Sequence, residues 1–186
     1  MIKKISLSII IFILYTAQLH ALIEVDITRG NLDPLPVAVS PLSADKNTND
    51  KLSKELKINK IGHKISEVVE NNLKNSGLFN PLNKDAFLQK PDIAHLKPRF
   101  EDWSLIKAQA LITGKVTLND DKLRVEFRLW DVLAGKEMMA LAFTTVPDNW
   151  RRVGHIITDK VYQRLTGEKG YFDTRIIYVS EEGPKT

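Results

Sequence analysis

The chain is 186 residues long, 43% hydrophobic and 27% charged, with Lys+Arg 27 against Asp+Glu 23 and no cysteine. That is enough chain for one domain with its own core, and the absence of thiols excludes disulfides, thiolate nucleophiles and cysteine-held metal. The net charge of +4 includes Lys3 and Lys4; without them it is 4 − 2 = +2, and the other basic residues lie among acids, so nothing marks a nucleic-acid partner.

Residues 1–21 have the order of a secretory signal peptide. Lys3 and Lys4 precede an apolar run, Ile5–Ala17, and Leu19-His20-Ala21 offers a small residue for cleavage between Ala21 and Leu22. The run is shorter than the about 20 apolar residues of a spanning helix, so export without membrane insertion is expected. In the next stretch Leu22, Ile23, Val25 and Ile27 interleave with Glu24 and Asp26, which gives strand character. Thr28, Arg29, Gly30, Asn31, Leu32 and Asp33 lead from there to the rigid Pro34-Leu35-Pro36. No hairpin locks this strand. It can serve as an edge strand of its own domain, or detach and pair with the sheet edge of another protein.

Val37–Val39 is apolar on both faces and predicts a central strand. Ser43–Ser53 is rich in Asn, Asp and Lys and reads as a solvated loop. Ile58, Ile61, Ile65, Val68, Val69 and Leu73 mark an amphipathic helix, stopped by Gly77. Leu78–Leu82, with Pro81 inside it, is expected at a sheet edge. Asp85–Gln89 reads as a helical turn, Pro91–Phe100 as a loop kept irregular by Pro91 and Pro98, and Trp103–Ala108 as a short helix.

Three strands follow. Ala110–Leu118 holds Gly114, a candidate bulge position, and Asn119-Asp120-Asp121 turns the chain. Leu123–Trp130 alternates Leu123, Val125, Phe127 and Leu129 with Arg124, Glu126 and Arg128, and Ala134-Gly135-Lys136 turns into Met138–Thr145. Trp150, Val153, Ile157, Val161 and Leu165 then recur at helical spacing, from Pro147-Asp148 to a stop at Gly167. Thr174–Ser180 reads as a final strand. These elements predict an α+β fold: a mixed sheet of about five strands with an antiparallel three-strand meander, two long helices packed on one face.

Catalytic candidates are few. His155 and Asp159 lie one helical turn apart, a spacing that can hold a metal or orient a base, and so offer the alternative of a metal-dependent periplasmic enzyme. The simpler account is a pair on a helix surface, without a third ligand at a recognisable spacing. His63 with Glu67 is a weaker case, and His95 has no partner identifiable from spacing. Asp45–Asp50 lacks the glycine and terminal acid of a calcium loop. No catalytic residue, metal or cofactor is expected.

Separated blocks of the chain resemble the TolB family, the periplasmic component of the Tol–Pal system. They are Asn72–Leu82 (NLKNSGLFNPL), Trp103 with Ala110–Val116 (ALITGKV), and Val125–Asp131 (VEFRLWD). A last block contains Gly154-His155, Asp159, Leu165-Thr166-Gly167, Lys169-Gly170 and Thr174-Arg175-Ile176. The resemblance implies an adaptor without catalysis, placed in the periplasm and built as an N-terminal α/β domain followed by a six-bladed β-propeller. It further implies that the propeller binds the outer-membrane lipoprotein Pal, and that the mature N-terminus, here Leu22–Asp33, engages TolA of the inner membrane, in support of outer-membrane invagination at division. On this pattern residues 22–33 are a mobile partner-binding segment, 34–170 the domain, and 171–186 the start of a truncated propeller. A monomer is expected.

Overall fold

A computed structural model describes residues 33–56 and 60–174. The signal peptide, Leu22–Leu32, Ile58 at the expected helix start and most of the Thr174–Ser180 strand lie outside them.

The six-stranded sheet is built from β1 (Leu35–Val39), β2 (Ser43–Ala44), β3 (Phe79–Pro81), β4 (Ala110–Asn119), β5 (Lys122–Asp131) and β6 (Lys136–Thr145). Its order is β3-β1-β4-β5-β6, with β2 also pairing β4. The first half is parallel: β1 pairs with both β3 and β4, and β2 with β4. β4-β5-β6 is the expected antiparallel meander. Its first turn carries Asp120 and Asp121 at φ 43° and 60°, the left-handed pair of a tight hairpin turn. Among the described strands β3 is one of the two edges, as Pro81 requires.

The helices are α1 (Lys46–Leu56), α2 (Ile61–Asn75), α3 (Pro91–Ala94), α4 (Phe100–Leu105) and α5 (Trp150–Thr166). The two long helices, α2 and α5, share one face of the sheet. Ile61, Ile65, Val69 and Leu73 of α2 and Val153, Ile157, Val161 and Leu165 of α5 meet Leu123, Val125, Phe127 and Leu129 of β5 in one buried cluster. Gly154 lets the two helices approach: a Cβ there would stand 2.8 Å from Val68 Cγ1. The opposite face has a smaller core of Ala38, Ala94, Trp103, Ala108, Leu111, Trp130 and Val132.

Several local expectations need correction. Ser43–Ser53 is not a loop: it contains β2 and most of α1. Asp45 begins this helix by accepting the Thr48 N–H at 2.7 Å, a contact that holds its carboxyl below the usual carboxylate range. Thr48 and Leu52 are its buried stripe, and Thr48 Oγ1 accepts the Leu118 N–H at 3.2 Å. Pro91 does not keep its stretch irregular. It opens the one-turn α3, where a missing N–H costs nothing. The short helix runs over Phe100–Leu105 rather than Trp103–Ala108. Gly114 is in register opposite Phe127, and the irregularity lies between β5 and β6, at Leu129/Trp130. Gly114 is needed for close approach, since a Cβ there would meet Glu126 O at 2.2 Å.

The 84–99 connection is pinned by one buried side chain. Gln89 Oε1 accepts from the Arg99 N–H at 2.9 Å and from Trp103 Nε1–H at 3.1 Å, and its Nε2 donates to Lys97 O at 2.9 Å. Gln89→Leu would leave the buried Trp103 Nε1–H and the partly buried Arg99 N–H without this acceptor. A loss of about 2 kcal/mol is expected, measured as a lower urea midpoint with unchanged slope.

Candidate functional site

The last helix and the segment after it form a corner held by both polar and aromatic contacts. α5 ends at Gly167, whose φ of 76° places it in the left-handed region that closes a helix. The chain then folds back along α5. Asp159 receives it: Oδ1 accepts the Phe172 N–H at 2.7 Å and Oδ2 the Asp173 N–H at 3.1 Å. Gly170 passes so close that a Cβ would stand 2.3 Å from Asp159 Oδ1. Arg152, two turns earlier, grips the Asp173 carboxylate from its Nε at 3.0 Å.

Aromatic rings complete the corner. Tyr162 meets Tyr171 at 5.6 Å and Phe172 at 5.8 Å, both edge-on, and Tyr171 stacks on Phe172 at 4.4 Å. On its other side Tyr162 meets Phe79 edge-on at 6.1 Å. Burial pushes the Tyr162 phenol above its ordinary pKa. Phe79 is the register partner of Leu35, whose N–H donates to Leu78 O at 2.9 Å. The start of β1 therefore lies next to the corner that holds Tyr171–Asp173. Asp33, the described member of the Leu22–Asp33 segment, is exposed just before β1.

His155 and Asp159 go to different partners. Asn72 Nδ2 lies 2.8 Å from His155 Nδ1 and donates to Thr158 Oγ1 at 3.2 Å, tying α2 to α5. Asp159 is taken up by the folded-back backbone. Among the described residues no group of three or more His, Cys, Asp or Glu side chains could hold a metal ion. Nor is any described helix long and apolar enough to cross a membrane. His63 is not joined to Glu67, which pairs with Lys64 at 2.9 Å. Burial holds the His95 imidazole below its usual pKa, with help from Arg128 and Lys115.

Sequence reasoning missed Asn72, Arg152, Tyr162, Phe79 and Phe172 as parts of this corner. The signal was present in part: the block Gly154-His155, Asp159, Gly167 and Lys169-Gly170 maps onto it, with Asn72 opening an earlier block. What was invisible is that these blocks converge.

Fold and corner together define a class: an α+β domain that anchors an adjoining stretch of its own chain on its last helix. The comparisons with known proteins narrow it. The model of the TolB amino-terminal domain matches residues 23–138. A Tol-Pal system protein TolB from Pelagibacter ubique (strain HTCC1062) is 77% identical over 177 residues, covering 95% of this chain and 40% of that protein. The crystal structure of TolB from Acinetobacter baumannii superposes with a TM-score of 0.58 at 20% identity, covering 80% of this chain and 32% of that one, and shows the same fold. The chain belongs to the TolB family of the Tol–Pal system. It spans 40% of the length of the Pelagibacter relative.

Proposed function

We propose that this chain is a non-catalytic periplasmic adaptor of the Tol–Pal system that reaches TolA through Leu22–Asp33. In the full-length family protein a propeller would carry the contact to Pal, so the adaptor would link inner and outer membranes and support envelope constriction at division. The mode is strand addition: an extended segment lends its backbone to a partner's sheet edge, and alternate side chains give specificity.

One observation carries this reading. The exit of Leu22–Asp33, at Leu35, is linked to the latched Tyr171–Asp173 segment through Phe79 and Tyr162. A segment used to bind a partner and a segment leading onward in the family's longer chains thus leave the domain at one corner. A ligand that favours one arrangement of that corner can shift the availability of the N-terminal strand.

The test is calorimetric titration of soluble TolA into the mature chain and into a variant lacking residues 22–32. Heat of binding from the first and none from the second is expected. Undiminished binding by the shortened chain would remove the proposal.

A further inference from the structure

At the end of the sheet opposite that corner, the strand layer formed by the described residues has a gap. β3 flanks β1 but stops at Pro81, and β2, which continues the line of β1 along β4, has a strand on one side only. Two adjoining cavities occupy the gap, of about 330 Å³ and about 260 Å³. His63 and Pro91 line both, so they form one groove at the carboxyl ends of parallel strands, where open α/β sheets take ligands.

The walls select the occupant. The larger cavity is walled by Pro41, Phe87, Leu88 and Pro91, with Leu88 64% exposed. Of the charged side chains that line the groove, Lys60, Lys84 and Lys90 outweigh Asp92, and Lys84 is also paired with Glu70. The positive field registers on His63, whose imidazole is held below its usual pKa by burial first and then by Lys60 and Lys84. Asn49, in the smaller cavity, adds a requirement of a different kind. Its Nδ2 donates to Ala44 O at 3.2 Å, which orients the amide, and its buried Oδ1 has no partner among the described residues. A bare anion has no proton to give that oxygen; a peptide N–H does.

We propose that this groove binds an extended acidic peptide with an apolar anchor residue. The peptide runs beside β2 in the place β3 leaves vacant. Its main-chain N–H donates to Asn49 Oδ1, its apolar side chain enters the wall of Pro41, Phe87 and Leu88, and its carboxylates face Lys60 and Lys90. This site is independent of Leu22–Asp33 and stands or falls apart from TolA binding.

The probe is fluorescein-labelled Glu-Leu-Asp-Leu-Glu, followed by anisotropy against the full chain. Saturable binding is expected, unchanged in Lys136→Glu at the start of β6, which pairs with Asp131 at the other end of the meander. The Lys60→Glu/Lys90→Glu protein should bind about tenfold or more weakly, and Leu88→Ser and Asn49→Ala should each weaken the complex. All of these side chains are at least partly exposed, and the same melting temperature across the set separates lost binding from lost fold. Absence of saturable binding, equal binding by the charge-reversed protein, or equal binding of Lys-Leu-Lys-Leu-Lys would overturn the proposal. So would competition by acetate or inorganic phosphate at concentrations matching the peptide, or retention of the chain on phosphatidylglycerol vesicles through these residues without peptide binding.

Discussion

Replacing Gly62 by alanine should destabilise the domain by about 3 kcal/mol, although alanine is the better helix former by roughly 1 kcal/mol. The sign is decided by space. Gly62 lies in the first turn of α2, and a Cβ there would stand 1.9 Å from the carbonyl oxygen of Leu42. That neighbour is backbone, so no rotamer change relieves the clash. The same contact is woven into a buried hydrogen-bond cluster: the Leu42 N–H reaches Ser66 Oγ at 3.0 Å, and that hydroxyl lies within reach of both Ser40 O and Gly62 O. Leu42 also covers Gly114, whose added Cβ would meet Leu42 Cδ2 at 2.4 Å. Moving Leu42 away from Gly62 therefore disturbs the strand layer as well as the helix. Gly154→Ala is the comparison, because its nearest neighbour is a Val68 side chain that can yield, and its loss should be nearer 1 kcal/mol. Urea midpoints for both variants decide the matter. A rise for Gly62→Ala would mean that α2 and the chain at Leu42 do not meet this closely.

How much of this was legible beforehand follows from where each signal resides. β5 could be read because Leu123, Val125, Phe127 and Leu129 all enter one core while their neighbours face the other side. α5 could be read because its stripe and its Gly167 stop are both local. α1 could not, since its inward contacts are Thr48 and Leu52 within an otherwise polar run. A glycine in a strand fits a bulge and a close approach equally well, and at Gly114 only the position of Leu42 and Glu126 separates them. The site was less legible than the fold. His155 and Asp159 share a helix face in any account, but their partners come from elsewhere: Asn72 is 83 residues from His155, and Phe172 is 13 from Asp159. Spacing within one helix cannot reveal that each of the pair is engaged by a different neighbour.

Asp159→Ala should release Tyr171–Asp173 from α5, with amide exchange of Phe172 and Asp173 faster by about 100-fold, corresponding to about 3 kcal/mol of local stability. The Asp159 carboxylate accepts two main-chain N–H groups, and hydrogen bonds to a charged acceptor contribute about 1.5–3 kcal/mol each when sheltered. Partial exposure of this corner places the sum near the lower end. The Arg152–Asp173 pair cannot substitute. Arg152 has its side chain 56% exposed, and solvent screens such a pair, so Arg152→Ala should change exchange at Phe172 by less than about threefold. The rings cannot substitute either, because Tyr171 is itself half exposed and needs the backbone held to stay on Tyr162. Gly170→Ala gives an independent route to the same state. Its Cβ would collide with Asp159 Oδ1, Cα and Cβ at once, so it should loosen the segment while the carboxylate remains. The global urea midpoint should fall less than local exchange rises, since α5 keeps its apolar stripe in both variants. If Phe172 stays protected in Asp159→Ala, the aromatic stack rather than the carboxylate holds the segment, and the invariant to seek is then the edge-on meeting of Tyr162 with Phe172.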